Sequence, residues 1–306
     1  MGLFIAGEEG SLSDVSQFSS AIAGAEYNVA VGLTRLEHCV SYMTKVGDDP
    51  FGEKIRNALT LQGIGTSLVQ TDASHATGFM LKGKTSKGDP DIAYFRKGSA
   101  ASTLSAADVD AIDFSSFDAV HVTGILAGIS ASACEAAEHM IRRAKAAGCV
   151  VFFDPNLRPQ LWKDTQTMVE TTNRLASLAD WVLPGYKEGD VLTGSADPRK
   201  IADFYLSQGV TGVVVKTGEK GAFAATSREQ VTVPSFIARE IVDTVGAGDG
   251  FACGIISGVL EGLSLYDTVL RANAIGTIQI MNPGDNEGLP TREALASFMK
   301  TTPQND

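Results

Sequence analysis

The stretch Asp243-Thr244-Val245-Gly246-Ala247-Gly248-Asp249-Gly250-Phe251 runs a loop of small residues straight into an apolar helix. Gly246, Ala247 and Gly248 let successive backbone N–H groups turn toward one point. A helix starting there adds its own unpaired N–H groups and the positive end of its dipole. Such a loop is an anion cradle suited to phosphate. Asp249 sets a carboxylate at its mouth, where repulsion makes it a poor phosphate ligand but a reasonable base for an alcohol attacking a phosphoryl group. An Asp at a helix start is equally an ordinary N-cap, and Gly before a helix is common.

The flanks favour the first reading. In residues 251–260, Phe251, Ile255 and Val259 share one stripe with Ile256 close by, which predicts a helix. Upstream, from about residue 117, strand and helix patterns alternate as in a doubly wound, mainly parallel sheet. Strands are predicted at 118–123, 149–153, 181–183 and 212–216, and helices at 130–147, about 165–179 and about 197–208. Right-handed crossovers gather the strands' C-terminal ends on one edge, where open α/β sheets bind ligands. Asp154 to Arg158, Gly185 to Glu188 and Lys216 to Gly218 fall at those ends. Short β-like runs at 3–6, 77–82 and 91–96 interrupt a βα unit formed by 40–46 and a helix after Pro50, and read as a small sheet extending from the main body.

The chain has 306 residues, 44% hydrophobic and 20% charged, with a formal net charge of −11. That acidity argues against nucleic acid as a partner, and it means that an anionic substrate needs local Lys and Arg. Cys39, Cys134, Cys149 and Cys253 show no Cys-x-x-Cys pair and read as buried free thiols of a reducing compartment. His38, His75, His121 and His139 show no ligand spacing, and His121, in an apolar strand pattern, reads as a core or supporting residue. No run reaches membrane-spanning length, no basic segment precedes an apolar one at the start, and Ala6 breaks a myristoylation pattern. A cytoplasmic protein is expected.

The nine-residue string resembles the C-terminal signature of the ribokinase-like (PfkB) carbohydrate kinases. Ala23-Gly24-Ala25-Glu26-Tyr27-Asn28-Val29-Ala30, extended to Arg35-Leu36 and resumed at Val46 to Gly52, resembles their first signature, so the likeness covers nearly the whole chain. It implies a ribokinase-like fold with a main domain of residues 27–70 and 99–306. Residues 1–26 and 71–98 would form a β lid over the sugar, often the dimer contact. It implies Asp249 as base and Gly246, Ala247 and Gly248 as anion hole. Lys216, Gly218 and Gly221 would surround the ATP phosphates and ribose, and Asn273 would lie in the adenine pocket. Glu188 would hold magnesium through water. Among kinases of this type, Tyr94, Arg96 and Arg158 resemble residues of the 2-keto-3-deoxygluconate branch that contact the keto-acid. Gly24, Asn28, Phe79 and Asp285 are placed at the substrate by the same resemblance, and Asn28 offers both a donor and an acceptor to a hydroxyl. The implied reaction is ATP-dependent phosphorylation of a sugar acid's terminal hydroxyl, the carboxylate being held by two planar Arg forks. Taken alone, each arginine is equally a surface ion-pair partner, Lys216-Thr217-Gly218 a turn between strands, and Asn273 a helix-interior Asn facing solvent.

Two departures from the family pattern stand out. Gly185 replaces the Asn of an Asn-x-x-Glu metal-water motif. Family chains also open with a buried strand ahead of the segment corresponding to Met1 to Ala6, and this sequence starts after it. The expectation is a sheet lacking one strand, with apolar surface and an unpaired edge. Two alternatives follow: a kinase of a neutral sugar such as fructose or ribose, and a sugar-acid-binding protein without catalysis. A homodimer or higher homo-oligomer is expected, and a monovalent-cation requirement is left open.

Overall fold

The computed structural model describes residues 1–85 and 91–305. The chain opens with β1 (Gly2–Glu9) and β2 (Phe18–Ile22), an antiparallel pair. After the helix Ala25–Arg35 come β3 (Thr44–Gly47) and β4 (Val69–Asp72), parallel to each other across the helix Pro50–Leu61. β5 (Phe79–Lys84) and β6 (Ile92–Phe95) return to the first pair and complete a four-stranded sheet ordered β2-β1-β5-β6. The second half carries β7 (Ala119–Thr123), β8 (Val150–Asp154), β9 (Trp181–Val182), β10 (Gly212–Lys216), β11 (Ala222–Thr226) and β12 (Gln230–Val233). These form a six-stranded sheet ordered β12-β11-β10-β9-β8-β7, parallel from β7 to β10 and antiparallel beyond.

Strand periodicity builds the two faces of this sheet. Phe152, Val214, Ala222 and Ala224 join one apolar layer with the helices Ala25–Arg35, Ala247–Leu260 and Leu265–Ile280. Val151, Phe153, Val213, Val215 and Phe223 join the other, with the helices Ala131–Ala146, Thr165–Ala176 and Pro198–Leu206. The helix behind the small-residue loop is apolar all round because it is buried all round, from Gly250 to Gly258. Its glycines are spaced four apart, so its neighbour can approach closely. A Cβ at Gly254 would lie 2.4 Å from Ala272 Cα.

The four-stranded sheet also sorts its residues by period two. Leu3, Met80 and Tyr94 pack together on one face. Phe79 stacks on Phe95 at 4.8 Å and meets Phe4 and Phe51 on the other. Residues before Ser11 therefore serve the small sheet, and none joins the six-stranded one. Among the described residues β7 pairs with β8 alone and β3 with β4 alone.

The cysteine expectation needs correction in part. Cys149 and Cys253 are buried, but Cys39 is exposed and Cys134 half-buried; all four are free. The turn after the Ala25–Arg35 helix carries Cys39 outward, a placement helical periodicity does not encode. Among the described residues no helix is long and apolar enough to cross a membrane.

Candidate active site

Gly246 caps the Ala247–Leu260 helix in the left-handed region, φ 77°, with its backbone against Asp285. A Cβ there would sit 2.0 Å from Asp285 O. The helix has no side-chain cap, and its first internal bond runs from Gly250 N to Gly246 O at 2.8 Å. The amides of Ala247, Gly248 and Asp249 are thus left to an outside acceptor. Gly246→Ala is expected to cost about 1–2 kcal/mol for the backbone region alone. Because the new methyl also displaces Asp285, both Tm and turnover should fall. An unchanged Tm would show that the loop relaxes freely.

Asp249 lies in the first turn of this helix, half-buried. Its Oδ2 accepts from Asn28 Nδ2 at 2.7 Å, and its Oδ1 from Asn156 Nδ2 at 3.4 Å. Burial drives its pKa up to about 7, Asp154 and Glu26 adding to the rise while Asn28 and Lys216 oppose it. Asn28 is oriented in turn by Asn286 Nδ2, which donates to its Oδ1 at 2.9 Å. Gly24 caps the helix that carries Asn28.

Lys216 ends β10 and Asp154 ends β8, so the parallel sheet brings them together at its C-terminal edge. Lys216 Nζ donates to Asp154 Oδ2 at 2.9 Å. Burial works against the ammonium, but Asp154, Glu188 and Asp249 outweigh it and its pKa is raised. The place of a Gly248 Cβ is 3.8 Å from Lys216 Nζ, so the cation flanks the amide cradle. Behind Lys216, Gly218 (φ 67°) and Gly221 (φ 89°) form a tight turn between β10 and β11; a Cβ on Gly221 would strike Val233 O at 2.1 Å.

Glu188 accepts from Leu157 N and Gly185 N, both at 2.7 Å, one on each carboxylate oxygen. It ties the β8 and β9 loops together. No group of three His, Cys, Asp or Glu able to hold a metal occurs among the described residues.

A second group lines the small sheet's inner face. Arg96 stacks over the Tyr94 ring at 4.5 Å, and its Nε is buried without a partner. Burial lowers its pKa and the charge of Arg158 adds to this, while Tyr94 and Glu26 oppose. Arg158 donates only to the neighbouring Leu157 O, at 2.9 Å. Neither arginine forms an ion pair among the described residues. Two guanidiniums within electrostatic reach, neither in an ion pair among the described residues, can take an anion together.

The fold thus assembles Asp249, Asn28, Lys216, Asp285 and the Gly246–Gly248 loop at one end, with Tyr94, Arg96 and Arg158 in the second group. Glu26 acts on both Asp249 and Arg96. Phe79 lies elsewhere, in the aromatic cluster on the opposite face of the small sheet. Asn273 is buried and donates to Val233 O at 3.0 Å and Pro234 O at 3.1 Å, stapling the exit of β12. His121 is half-buried, with both ring nitrogens enclosed and unpartnered among the described residues, and desolvation lowers its pKa to about 4, so it is neutral. Asn156, at φ 41°, and Lys82 had no signal of their own in the sequence. Lys82 Nζ reaches Asp243 Oδ2 at 3.4 Å and Asp285 Oδ1 at 3.7 Å, tying the small sheet to the cradle.

An anion cradle at a helix start, a half-buried carboxylate tuned near neutrality and a small sheet holding cations suit a phosphotransferase acting on a small polar substrate. The pfkB family carbohydrate kinase model matches residues 3–292, and the chain belongs to that family. It is 47% identical over 300 residues to the 2-dehydro-3-deoxygluconokinase of Bacillus subtilis, covering 98% of this chain and 93% of that one. Among solved structures, a PfkB protein from Polaromonas sp. JS666 superposes with a TM-score of 0.89 at 41% identity, covering 97% of this chain and 96% of that one. An E. coli protein solved in complex with ATP and Mg2+ does so with a TM-score of 0.86 at 26% identity, covering 97% and 96%.

Proposed function

We propose that this carbohydrate kinase transfers the γ-phosphoryl group of ATP to the terminal hydroxyl of 2-keto-3-deoxygluconate (2-dehydro-3-deoxygluconate), giving the 6-phosphate. The observation that carries the substrate choice is the pair Arg96 and Arg158, neither in an ion pair among the described residues, on a chain of net charge −11. A carboxylate bound there relieves two desolvated or unpaired cations at once. The nucleofuge end rests on the uncapped amides of residues 247–249, with Lys216 beside them and Gly218 and Gly221 shaping the ATP loop. Magnesium, when bound with ATP, neutralises phosphate charge. Glu188 and Asp154 are the acidic groups beside Lys216 that would hold its water shell.

The reaction balances simply. The substrate hydroxyl gives its proton to Asp249, its oxygen forms the new P–O bond, and the bond to the β-phosphate oxygen breaks to release ADP. Asn28 and Asn156 keep both carboxylate oxygens of Asp249 aligned. A base whose pKa lies near the working pH combines availability with driving force. The small sheet, linked to the cradle by Lys82, would exclude water, whose attack on ATP is the competing reaction. β2 and β6 are its outer strands, and pairing them between copies would give a homodimer.

The test is ADP release with ATP and magnesium across 2-keto-3-deoxygluconate, its galactonate epimer, fructose and ribose. Turnover confined to the keto-acids is the expected result. Turnover of fructose or ribose instead would refute the carboxylate clamp while keeping the base, and silence on all four from a folded sample would refute this choice of substrate.

A further inference from the structure

Lys82 stands on β5, and strand alternation puts it on the same face as Met80 and as Tyr94, which pairs with Met80. That is the face of the small sheet on which Arg96 stacks over Tyr94. The Lys82 side chain is only 11% exposed, and it reaches beyond its own sheet. Its Nζ lies 3.4 Å from Asp243 Oδ2 and 3.7 Å from Asp285 Oδ1. Among the described residues neither carboxylate has another ion-pair partner.

The two acids flank the cradle. Asp243 Oδ1 accepts from Val245 N at 3.0 Å, next to Gly246, and the backbone of Asp285 lies against Gly246 itself. The residue after Asp285, Asn286, orients Asn28 on Asp249. Asp285 is buried, and burial raises its pKa; Lys82 opposes the rise, while Asp243 and Glu287 add to it. The cradle's other flanking cation, Lys216, is engaged by Asp154. Two carboxylates beside an anion cradle repel the ligand it is shaped for unless a cation offsets them.

Joining the two segments does not require Lys82. Gln279 is fully buried, and its Nε2 donates to Gly284 O at 2.7 Å and to Val245 O at 3.4 Å, across the same seam. Arg35 holds Asn286 O at 2.9 Å and Leu289 O at 2.7 Å. What Lys82 adds is charge, delivered from the sheet that also carries Arg96.

We propose that Lys82 is a positioning residue for phosphoryl transfer: its ammonium offsets Asp243 and Asp285, so that the amides of residues 247–249 meet the γ-phosphate without two bare carboxylates beside them. This rests on reading that loop as the phosphate cradle of a kinase. The small sheet then has two charge roles, Arg96 serving the sugar acid's carboxylate and Lys82 the phosphate end.

The test compares Lys82→Met, Lys82→Arg and the double variant Lys82→Met/Asp243→Asn with the wild type. Asparagine at 243 removes the charge and keeps an acceptor for Val245 N. Lys82→Met should lower kcat about 10–100-fold, the reach of one charge left without its offset, with KM for 2-keto-3-deoxygluconate within about threefold. Calorimetry should show ATP with magnesium binding about tenfold more weakly, and ADP, which has no γ-phosphate, changed by less than about threefold. Lys82→Arg should stay within about fivefold of the wild type, and the double variant should regain about fivefold or more of the lost kcat. A purely structural tie predicts the opposite, because the double variant breaks the same contacts. A double variant as slow as Lys82→Met would therefore overturn the proposal. So would a loss of kcat in Lys82→Met smaller than about tenfold, or a loss confined to KM. If Lys82→Met alone does not fold, the double variant decides: kcat within about tenfold of the wild type supports the proposal, and a larger loss overturns it. If the wild type turns over neither keto-acid, the substrate reading fails, and the ATP and ADP affinities of the same variants still decide for or against Lys82.

Discussion

Asp249→Asn is expected to lower kcat by about 10³-fold while leaving ATP binding within about twofold, because a positioned base contributes on the order of 10²–10⁴. The same substitution should stabilise the protein at pH 8. The wild-type carboxyl has a folded pKa of about 7 against 3.8 for an unperturbed Asp. Between those values the folded chain holds a proton that the unfolded chain has released, so stability falls as pH rises through that window. Above pH 7 the cost is on the order of 4 kcal/mol at most. Asparagine carries no such charge and keeps an acceptor for Asn28 Nδ2, so Tm should rise at pH 8 and the gap should close toward pH 4. In the wild type, kcat/KM should fall about tenfold per pH unit below 7 as the base becomes protonated. Near-normal turnover of the variant would remove Asp249 from proton transfer. A lower Tm at pH 8 would show that the attraction between Asp249 and Lys216 outweighs the burial cost.

Arg96→Met and Arg158→Met should each reduce kcat/KM for 2-keto-3-deoxygluconate by about 10²–10³-fold, chiefly through KM. Truncating one partner of a buried, hydrogen-bonded charge pair costs roughly 2–5 kcal/mol. Lys should rescue poorly at either position, since a point charge does not reproduce a planar fork. In the absence of substrate, Arg96→Met should cost little stability. It loses the stacking on Tyr94, worth about 0.5–2 kcal/mol, but removes a buried Nε that has no acceptor. Binding of ATP measured calorimetrically should not change. Equal losses for a neutral sugar would mean that the arginines shape the lid rather than grip a carboxylate.

Much of this architecture was legible in local pattern. The runs at 150–153 and 212–216 are apolar on both faces, and only a strand covered on both sides wants that composition. The Gly246-Ala247-Gly248-Asp249 loop ahead of an apolar helix carries its phosphate chemistry in a few adjacent residues, with glycine where φ must be 77°. The two arginines read as a carboxylate clamp through the resemblance of their motifs to the 2-keto-3-deoxygluconate branch, the net acidity of the chain only adding weight. The order of elements, and the placing of Lys216 and Asp154 at strand ends, followed from periodicity and right-handed connection.

Other features depend on which distant segments meet, and no local period encodes that. Asn28 and Asp249 are 221 residues apart, and only the packing of their two helices brings amide to carboxylate at 2.7 Å and buries the acid enough to move its pKa to about 7. Phe79 and Tyr94 both lie on the small sheet, yet the pairing of Phe79 with Phe95 and of Met80 with Tyr94 sends them to opposite faces. A register one residue different would exchange them. Glu188 was legible as an acid near phosphate, but its two backbone amide partners come from separate loops. Asn273 was read toward the adenine, and the Val233 and Pro234 carbonyls claim it. The sequence by itself determined the elements, the cradle and the charged groups available, because those arise from composition and spacing within a few turns of chain. Tertiary structure alone decided which acid became the tuned base and which cations stand without an ion-pair partner among the described residues, because burial and pairing are set by residues a hundred or more positions away.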